Sequence, residues 1–503
     1  MVINWRPELN GTKHVAFPRK SLLGVALITW LVASAACGSY AGSQDSQSLE
    51  DGMVESPPPA ASAEPSGVQI LTGARTRVVW VQDVADGTDI ISLGDQLLLM
   101  GYDSEDGLGA RPILSTPGNY SKPHITPLGN RVVFSDVRRP MTFVVNWDGS
   151  GLKRLGRGFA LTTWIDPSTE TEWVYVASDM KTDPTTFGVV TRHQIDQWDV
   201  SEIVWTRRRV SPDNFQVSAD GRLAGGLFPW PAAGTVELPG GSWRRWGRGC
   251  WTSLAGGDLP LFWIFDGDHR TLTLVDMDRD VRWKVSINNA PGIDGYEIYH
   301  PRWANHPRFL TMTGPYTVGT AANKIRGGGP QVEIYLGRFA EDFTSVESWV
   351  KVTDNQRADF NPDAWIDPSE RPATGAASDV KLGPGAPPRA PDSEPVQRLV
   401  VDVRVSAAAP IPTPESILPY RRALLVNEYE VVQVHEGAYE EAKILIAHWV
   451  IRDGRVLETA ARQRGSVHRI TLELFDEHPE LEGERLIMDS DAFDLRLYYD
   501  VNS

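Results

Sequence analysis

Two short stretches of this 503-residue chain concentrate side chains that can do chemistry. Residues 265–270 read FDGDHR and residues 299–308 read YHPRWANHPR, supplying His269, His300 and His306, Arg270, Arg302 and Arg308, and Trp303. Neutral imidazoles can hold a divalent metal, guanidinium forks grip carboxylates, and an indole face stacks on a sugar ring. If these groups converge, they make a site for an acidic saccharide. The competing reading is architectural: Trp303 and His306 fall in a repeated turn, where aromatic and His side chains cap a sheet. The Trp-rich tract at 228–246, with Trp230, Trp243 and Trp246, divides in the same way between sugar stacking and burial. Burial is favoured, because a buried indole removes a large area from water.

Signatures of other chemistries are absent. The chain has no Gly-x-Ser-x-Gly elbow, no His-Glu-x-x-His, no Gly-x-x-x-x-Gly-Lys and no Cys-x-x-Cys. Its formal charge of -16 disfavours nucleic acid as a partner, since neutralising phosphates needs an excess of Lys and Arg. No cofactor is required by any motif, and a divalent metal enters only through the histidines above. The chain has two cysteines, Cys37 and Cys250. Cys250, flanked by apolar residues, reads as packing rather than as a nucleophile.

The elements that must position these groups are strands. With 45 Gly, 36 Pro and 18 Trp, and little helical periodicity, the composition points to many short strands joined by tight turns. Residues 121–134, SKPHITPLGNRVVF, are the clearest unit: strand, turn at Pro127 to Gly129, strand. Looser copies lie at 161–175, 213–226, 250–265 and 300–311, and a truncated one at 357–367. Taking Ile125, Trp164, Val217, Leu254, Trp303 and Phe360 as equivalent gives steps of about 40 to 60 residues, near or above those of propeller blades. Radial packing of such sheets protects their edges and faces. Residues 77–82 and 97–102 supply part of a blade before the first anchor, and 357–367 supplies the strand that this blade lacks. The expected fold is therefore all-β: about six blades in a ring fastened end to beginning, over residues 68–367.

SADGR at 218–222 and NWDGSGLKRL at 146–155 resemble the TolB-type, WD-like propeller repeat. That resemblance implies loops displayed on a rigid ring. Oligogalacturonate lyases resemble the plan too, with a propeller and a His-rich metal site, but the spacing around the ligands does not match here. A propeller capping a hydrolase, as in prolyl oligopeptidases, is excluded because the C-terminal remainder is too short.

Residues 368–398 read as a Pro/Gly-rich linker, and 399–503 as a small β domain, OB-like or sandwich-like, with five strand-like runs. His448 sits in an apolar strand and reads as a core histidine. The acidic run from Asp476 to Glu484 reads as a solvated hairpin tip rather than a calcium loop. At the other end, Arg19 and Lys20 precede an apolar run at 22–32 and the small residues Ala33 to Ala36, then Cys37. This resembles a bacterial lipoprotein signal over residues 1–37, which implies lipidation of Cys37; Ser34 departs from the usual Leu and leaves ordinary cleavage near Ala36 open. Gly38 and Ser39 lack the acidic residue associated with inner-membrane retention. Residues 38–67 read as a disordered tether. The functional expectation is an envelope-anchored binding or scaffolding protein, on the periplasmic side or surface of the outer membrane or else secreted, with an envelope protein or polysaccharide as partner. The second expectation is a polysaccharide lyase or glycoside hydrolase using the His/Arg site.

Overall fold

The computed structural model describes residues 66–503, apart from 180–185, 213–214, 258, 268, 294–295, 317–330, 371–382, 384–397, 416, 418–420, 479–480, 482–484, 491 and 493–494. The leader, Cys37, nearly all of the tether and most of the linker lie outside the described residues, as do Glu480, Glu482 and Glu484 of the acidic run.

Six four-stranded antiparallel sheets follow one another, each led by an innermost strand: Ser121–Ile125 in blade two, Phe159–Ile165 in three, Gln216–Val217 in four, Trp251–Leu254 in five and Glu297–Trp303 in six. Blade one is composite. Its outer strands Thr76–Asp83, Leu97–Asp103 and Arg111–Gly118 come from the start of the ring, and its innermost strand Ala358–Ile366 comes from the end. Thr76 pairs with Ile366 and Asp83 with Ala358, so closure by the truncated last repeat is observed. Two assignments of equivalence are corrected: Trp164 stands one residue before its blade's equivalent position, Ile165, and Phe360 is displaced further. The bond that opens each inner turn, such as Ser218 N–H to the Leu223 carbonyl and Asp367 N–H to that of Arg75, ends the inner strands at Ile125, Ile165, Val217, Leu254, Trp303 and Ile366. Phe360 is not equivalent to Ile125, because the closing strand is longer than the others and Phe360 lies near its beginning.

Alternate residues of each strand face the neighbouring sheet, and large aromatics fill the space between blades; Trp80, Trp205, Trp263 and Trp303 are fully buried. Indoles also bind blade to blade through their N–H groups. Trp365 Nε1 donates to the Pro127 carbonyl (2.8 Å) and Trp164 Nε1 to that of Ala219 (3.0 Å), each in the turn of the next blade. The turn glycines there are fixed twice over. Gly129 and Gly221 have φ of 76° and 74°, and a Cβ on either would lie 2.6 Å from the approaching indole.

The Trp-rich tract serves packing. Trp246 is buried with Nε1 on Thr235 Oγ1 (3.0 Å), and Trp243 packs on Phe228. Trp230 packs against the C-terminal domain, where Arg248 of the same blade donates to the Leu495 carbonyl (2.9 Å).

The C-terminal domain is a closed five-stranded barrel. Leu399–Ala407, Ala423–Glu436, Lys443–Arg452, Val467–Leu474 and Leu497–Asp500 pair in the order first, second, third, fifth, fourth and back to first. Among these five strands only the third–fifth pairing is parallel, which makes the arrangement OB-like rather than a sandwich; a short strand, Arg485–Met488, adds to the second strand, also in parallel. His448 is fully buried in its core, and burial pushes its imidazole down to about 3.

Gly129→Ala is expected to destabilise the protein by about 2–4 kcal/mol, because backbone strain and a clash with Trp365 add. Gly107→Ala, at φ 68° with nothing within 4 Å, isolates the backbone part and should cost about 1 kcal/mol. Urea denaturation of both variants checks this; equal losses would remove the indole contact from the account.

Candidate axial site

Three inner strands carry a residue followed by proline in the left-handed region: Lys122 (φ 46°), His300 (φ 49°) and Asn361 (φ 51°). Proline restricts the residue before it to extended conformations, so each is strained. The ladder slips at each place, between Ser121 and His124, between Tyr299 and Arg302, and opposite Val79 to Val81. Such bulges re-aim side chains. Here Lys122, His124, His300, Arg302 and Asn361 line a cavity on the axis with Leu161, Pro212, Trp251 and two of the bulge prolines, so all six blades contribute at or just before their inner strands.

At its wall Arg302 Nε donates to Asp363 Oδ1 (2.8 Å), and the Ile125 N–H donates to Asp363 Oδ2 (2.8 Å). One carboxylate thus joins blades six, one and two. Burial pushes the Asp363 carboxyl up, and Arg302 opposes that shift. Lys122 Nζ donates to the Pro212 carbonyl (3.2 Å) and lies 5.0 Å from the Trp251 ring centre. Thr313 Oγ1 donates to the Tyr299 carbonyl (3.0 Å), so His300 Nδ1, 3.1 Å away, must donate to that hydroxyl. His300 Nε2 is left as a buried acceptor without a partner. Both ring nitrogens of buried His124 are likewise unpartnered. Burial, then the nearby cations, pushes both imidazoles down, His300 to about 3.

Residues 84–96, between the first two outer strands of blade one, reach this centre. Asn361 Nδ2 donates to Ser92 Oγ (2.7 Å), and Ile90 joins the core cluster of Trp251, Tyr299 and Phe360. Asn119 Nδ2 holds the loop by donating to the Ser92 and Gly94 carbonyls. What remains is about 20 Å³, room for a water molecule or a monatomic ion and far less than a sugar ring. A wider recess of about 380 Å³ opens between blades four and five, lined by Leu223, Leu254, Leu259, Pro260 and Met277 beside Asp220, Arg222, Glu237 and Asp278.

The seven residues singled out in the sequence separate. His300 and Arg302 line the axial cavity. His269 lies beyond the Tyr299 ring, against Cys250 and Glu297, with Arg270 next to it. Trp303 is buried between Trp263 and Phe339 with Nε1 on the Pro307 carbonyl (2.7 Å). His306 and Arg308 follow the inner strand at its far end, where Arg308 binds the Phe339 carbonyl and Glu347. Among the described residues, no three His, Cys, Asp or Glu side chains converge as a metal site. Sequence reasoning missed Lys122, His124 and Asn361 because they lay inside the repeat units; the recurrence of a polar residue before proline was the usable signal.

No protein-family model matches the chain, and no curated protein matches it. Among solved structures it is similar to TolB from Acinetobacter baumannii, at 11% identity over 59% of this chain and 69% of that one, with a TM-score of 0.38. It is also similar to a chain of the nidogen/laminin complex, at 10% identity over 57% of this chain and 98% of that one, with a TM-score of 0.39. The propeller assignment rests on the strand pairing itself.

Arg302→Met should cost about 3–5 kcal/mol by leaving Asp363 buried and unpaired. Arg302→Met with Asp363→Asn, which keeps an acceptor for Ile125, should regain more than half. A single-variant loss below about 1 kcal/mol would count against the bridge. The two axial histidines also set a pH response. Their folded pKa lies below the unfolded value, so their contribution is complete above about pH 6.5 and is lost as pH falls through the folded values. The slope contributed is up to about 1.4 kcal/mol per pH unit for each imidazole. The difference between melting curves at pH 7 and pH 5 should narrow in a His124→Gln/His300→Gln variant, with His448 keeping a part of it; an unchanged difference would assign the acid response to other groups.

Proposed function

We propose that this chain is an exported, envelope-anchored binding or scaffolding protein that uses its propeller to recognise a protein partner. The observation that carries this reading, among the described residues, is the contrast between an axial cavity of about 20 Å³ and a recess of about 380 Å³ between blades four and five. A rigid ring with a filled centre presents its rim and loops, and the inter-blade recess has the mixed apolar and charged lining that suits a side chain from a partner. The second reading, a lyase or hydrolase acting on acidic polysaccharide at the axial mouth, is not favoured, because the axial volume does not admit a sugar. Anchoring through Cys37 belongs to the same proposal and is motivated by the lipoprotein-like leader.

Cross-linking in the envelope fraction followed by purification should recover one discrete partner with the unaltered chain, and lose it with Met277→Arg, which fills the recess. Binding to an acidic glycan instead, with catalytic turnover, would replace this proposal by the second reading. Cys37→Ser should move the protein from the membrane to the soluble fraction; unchanged fractionation would remove the lipid anchor.

A further inference from the structure

Blades five and six bring together three groups that lie apart in sequence. Cys250 immediately precedes the inner strand Trp251–Leu254, and Glu297 opens the inner strand Glu297–Trp303. His269 sits between them in the turn before strand Thr271–Asp276, with φ 55°. Its N–H donates to the Asp266 carbonyl (3.1 Å), and its own carbonyl accepts from Ile298 N–H (2.9 Å), which docks the turn on blade six. His269 Nδ1 is 3.3 Å from Glu297 Oε2, and His269 Nε2 is 3.6 Å from Cys250 Sγ. The carboxylate requires the proton on Nδ1, so Nε2 is presented to the thiol as a base. Nucleophile, base and orienting acid are thus in sequence.

We propose that Cys250 is a nucleophilic thiolate, paired with the imidazolium of His269 and positioned by Glu297, that reacts with small electrophiles of the hydroperoxide class. A cysteine used for packing needs neither an imidazole at its sulfur nor a carboxylate behind that imidazole. The size limit follows from burial: Cys250 is 6% exposed, while His269 and Glu297 are each 1% exposed. The rings of Phe265 and Tyr299 stand 5.5 and 5.6 Å from that of His269. Cys250, Glu297 and the Tyr299 phenol are the described titratable groups that face His269 from the neighbouring elements; Asp266, on its own turn, bonds Thr273 and Lys284. Burial alone would lower the imidazole pKa, but the thiol and carboxylate outweigh it and raise His269 to about 9.

The step balances with hydrogen peroxide. The thiolate sulfur attacks one peroxide oxygen, an S–O bond forms and the O–O bond breaks. The departing hydroxide takes the Nε2 proton of His269 and leaves as water. Sulfur is oxidised by two electrons to a sulfenic acid, peroxide is reduced, and His269 is left neutral.

Alkylation of the full-length protein by iodoacetamide, with the adduct located on the Cys250 peptide by mass spectrometry, tests the ion pair. The rate should change less than about threefold between pH 6 and pH 8, where an ordinary thiol of pKa about 8.5 changes roughly tenfold per unit. His269→Gln and Glu297→Gln should restore the ordinary steep profile, with Glu297→Asp intermediate. Peroxide treatment should give a sulfenic acid at Cys250 that a dimedone probe captures. If the variants do not fold, the pH profile of the unaltered chain decides alone. A tenfold rise per unit across that range, or no reaction of Cys250 with either reagent in the folded protein, would overturn the proposal.

Discussion

The ring depends on one strand pairing between distant parts of the chain. Ala358–Ile366 hydrogen-bonds along Thr76–Asp83 and supplies the centre of a blade whose outer strands were laid down first. Loop-closure entropy grows only slowly with length, so joining such remote segments is affordable if the contact is well made. Its charged groups are matched accordingly. Asp359 accepts from Trp80 Nε1 (2.7 Å), Gln82 Nε2 (3.0 Å) and Asn355 Nδ2 (2.7 Å), and Asp363 bridges Arg302 and the Ile125 N–H. Glu333, near Asp359, is pushed up by burial and by that second carboxyl, while Thr353 and the Asn355 N–H hold it down. Removing one partner at such a place exposes a buried charge to the whole desolvation cost, so the closing seam is sensitive to single substitutions.

The same seam shapes the centre of the molecule. Strained residues at 122, 300 and 361 re-aim polar side chains to the axis, and the loop at 84–96 fills much of what they leave. Strain of this kind, roughly 1–3 kcal/mol per residue, persists only where surrounding contacts determine it. The outcome, among the described residues, is a polar axial cavity with room for about one water molecule. One face of blade five meets blade six through Cys250, His269 and Glu297, so the ring also creates chemistry at a seam that neither blade holds alone.

The strands were largely legible. Alternation in residues 121–134, the turn at Pro127 to Gly129 and the five apolar runs after 399 each report local preferences that the tertiary structure did not override. The truncated copy at 357–367 disclosed closure because a four-stranded module lacking one strand needs a donor. The OB-like order of the barrel was not legible, since pairing order is a property of three-dimensional neighbours. The site was less legible than the fold. His300, Arg302, His306 and Arg308 are close in sequence, yet a strand advances about 3.3 Å per residue, so His300 and Arg308 end at different levels of the blade. The meeting of Cys250 with His269 was not legible, because nothing local along the chain shows which side chain faces the sulfur.

By itself, then, the sequence determined the kind of elements and roughly how many modules they form: short strands, tight turns, about six blades and a last strand that completes the first. Those properties follow from side-chain alternation and backbone preference, which act over a few residues. Tertiary structure alone decided which polar groups meet, on the axis and at the seam between blades five and six. Such meetings depend on bulges and on the packing of sheets from distant segments, and contacts of that range leave no periodic trace along the chain.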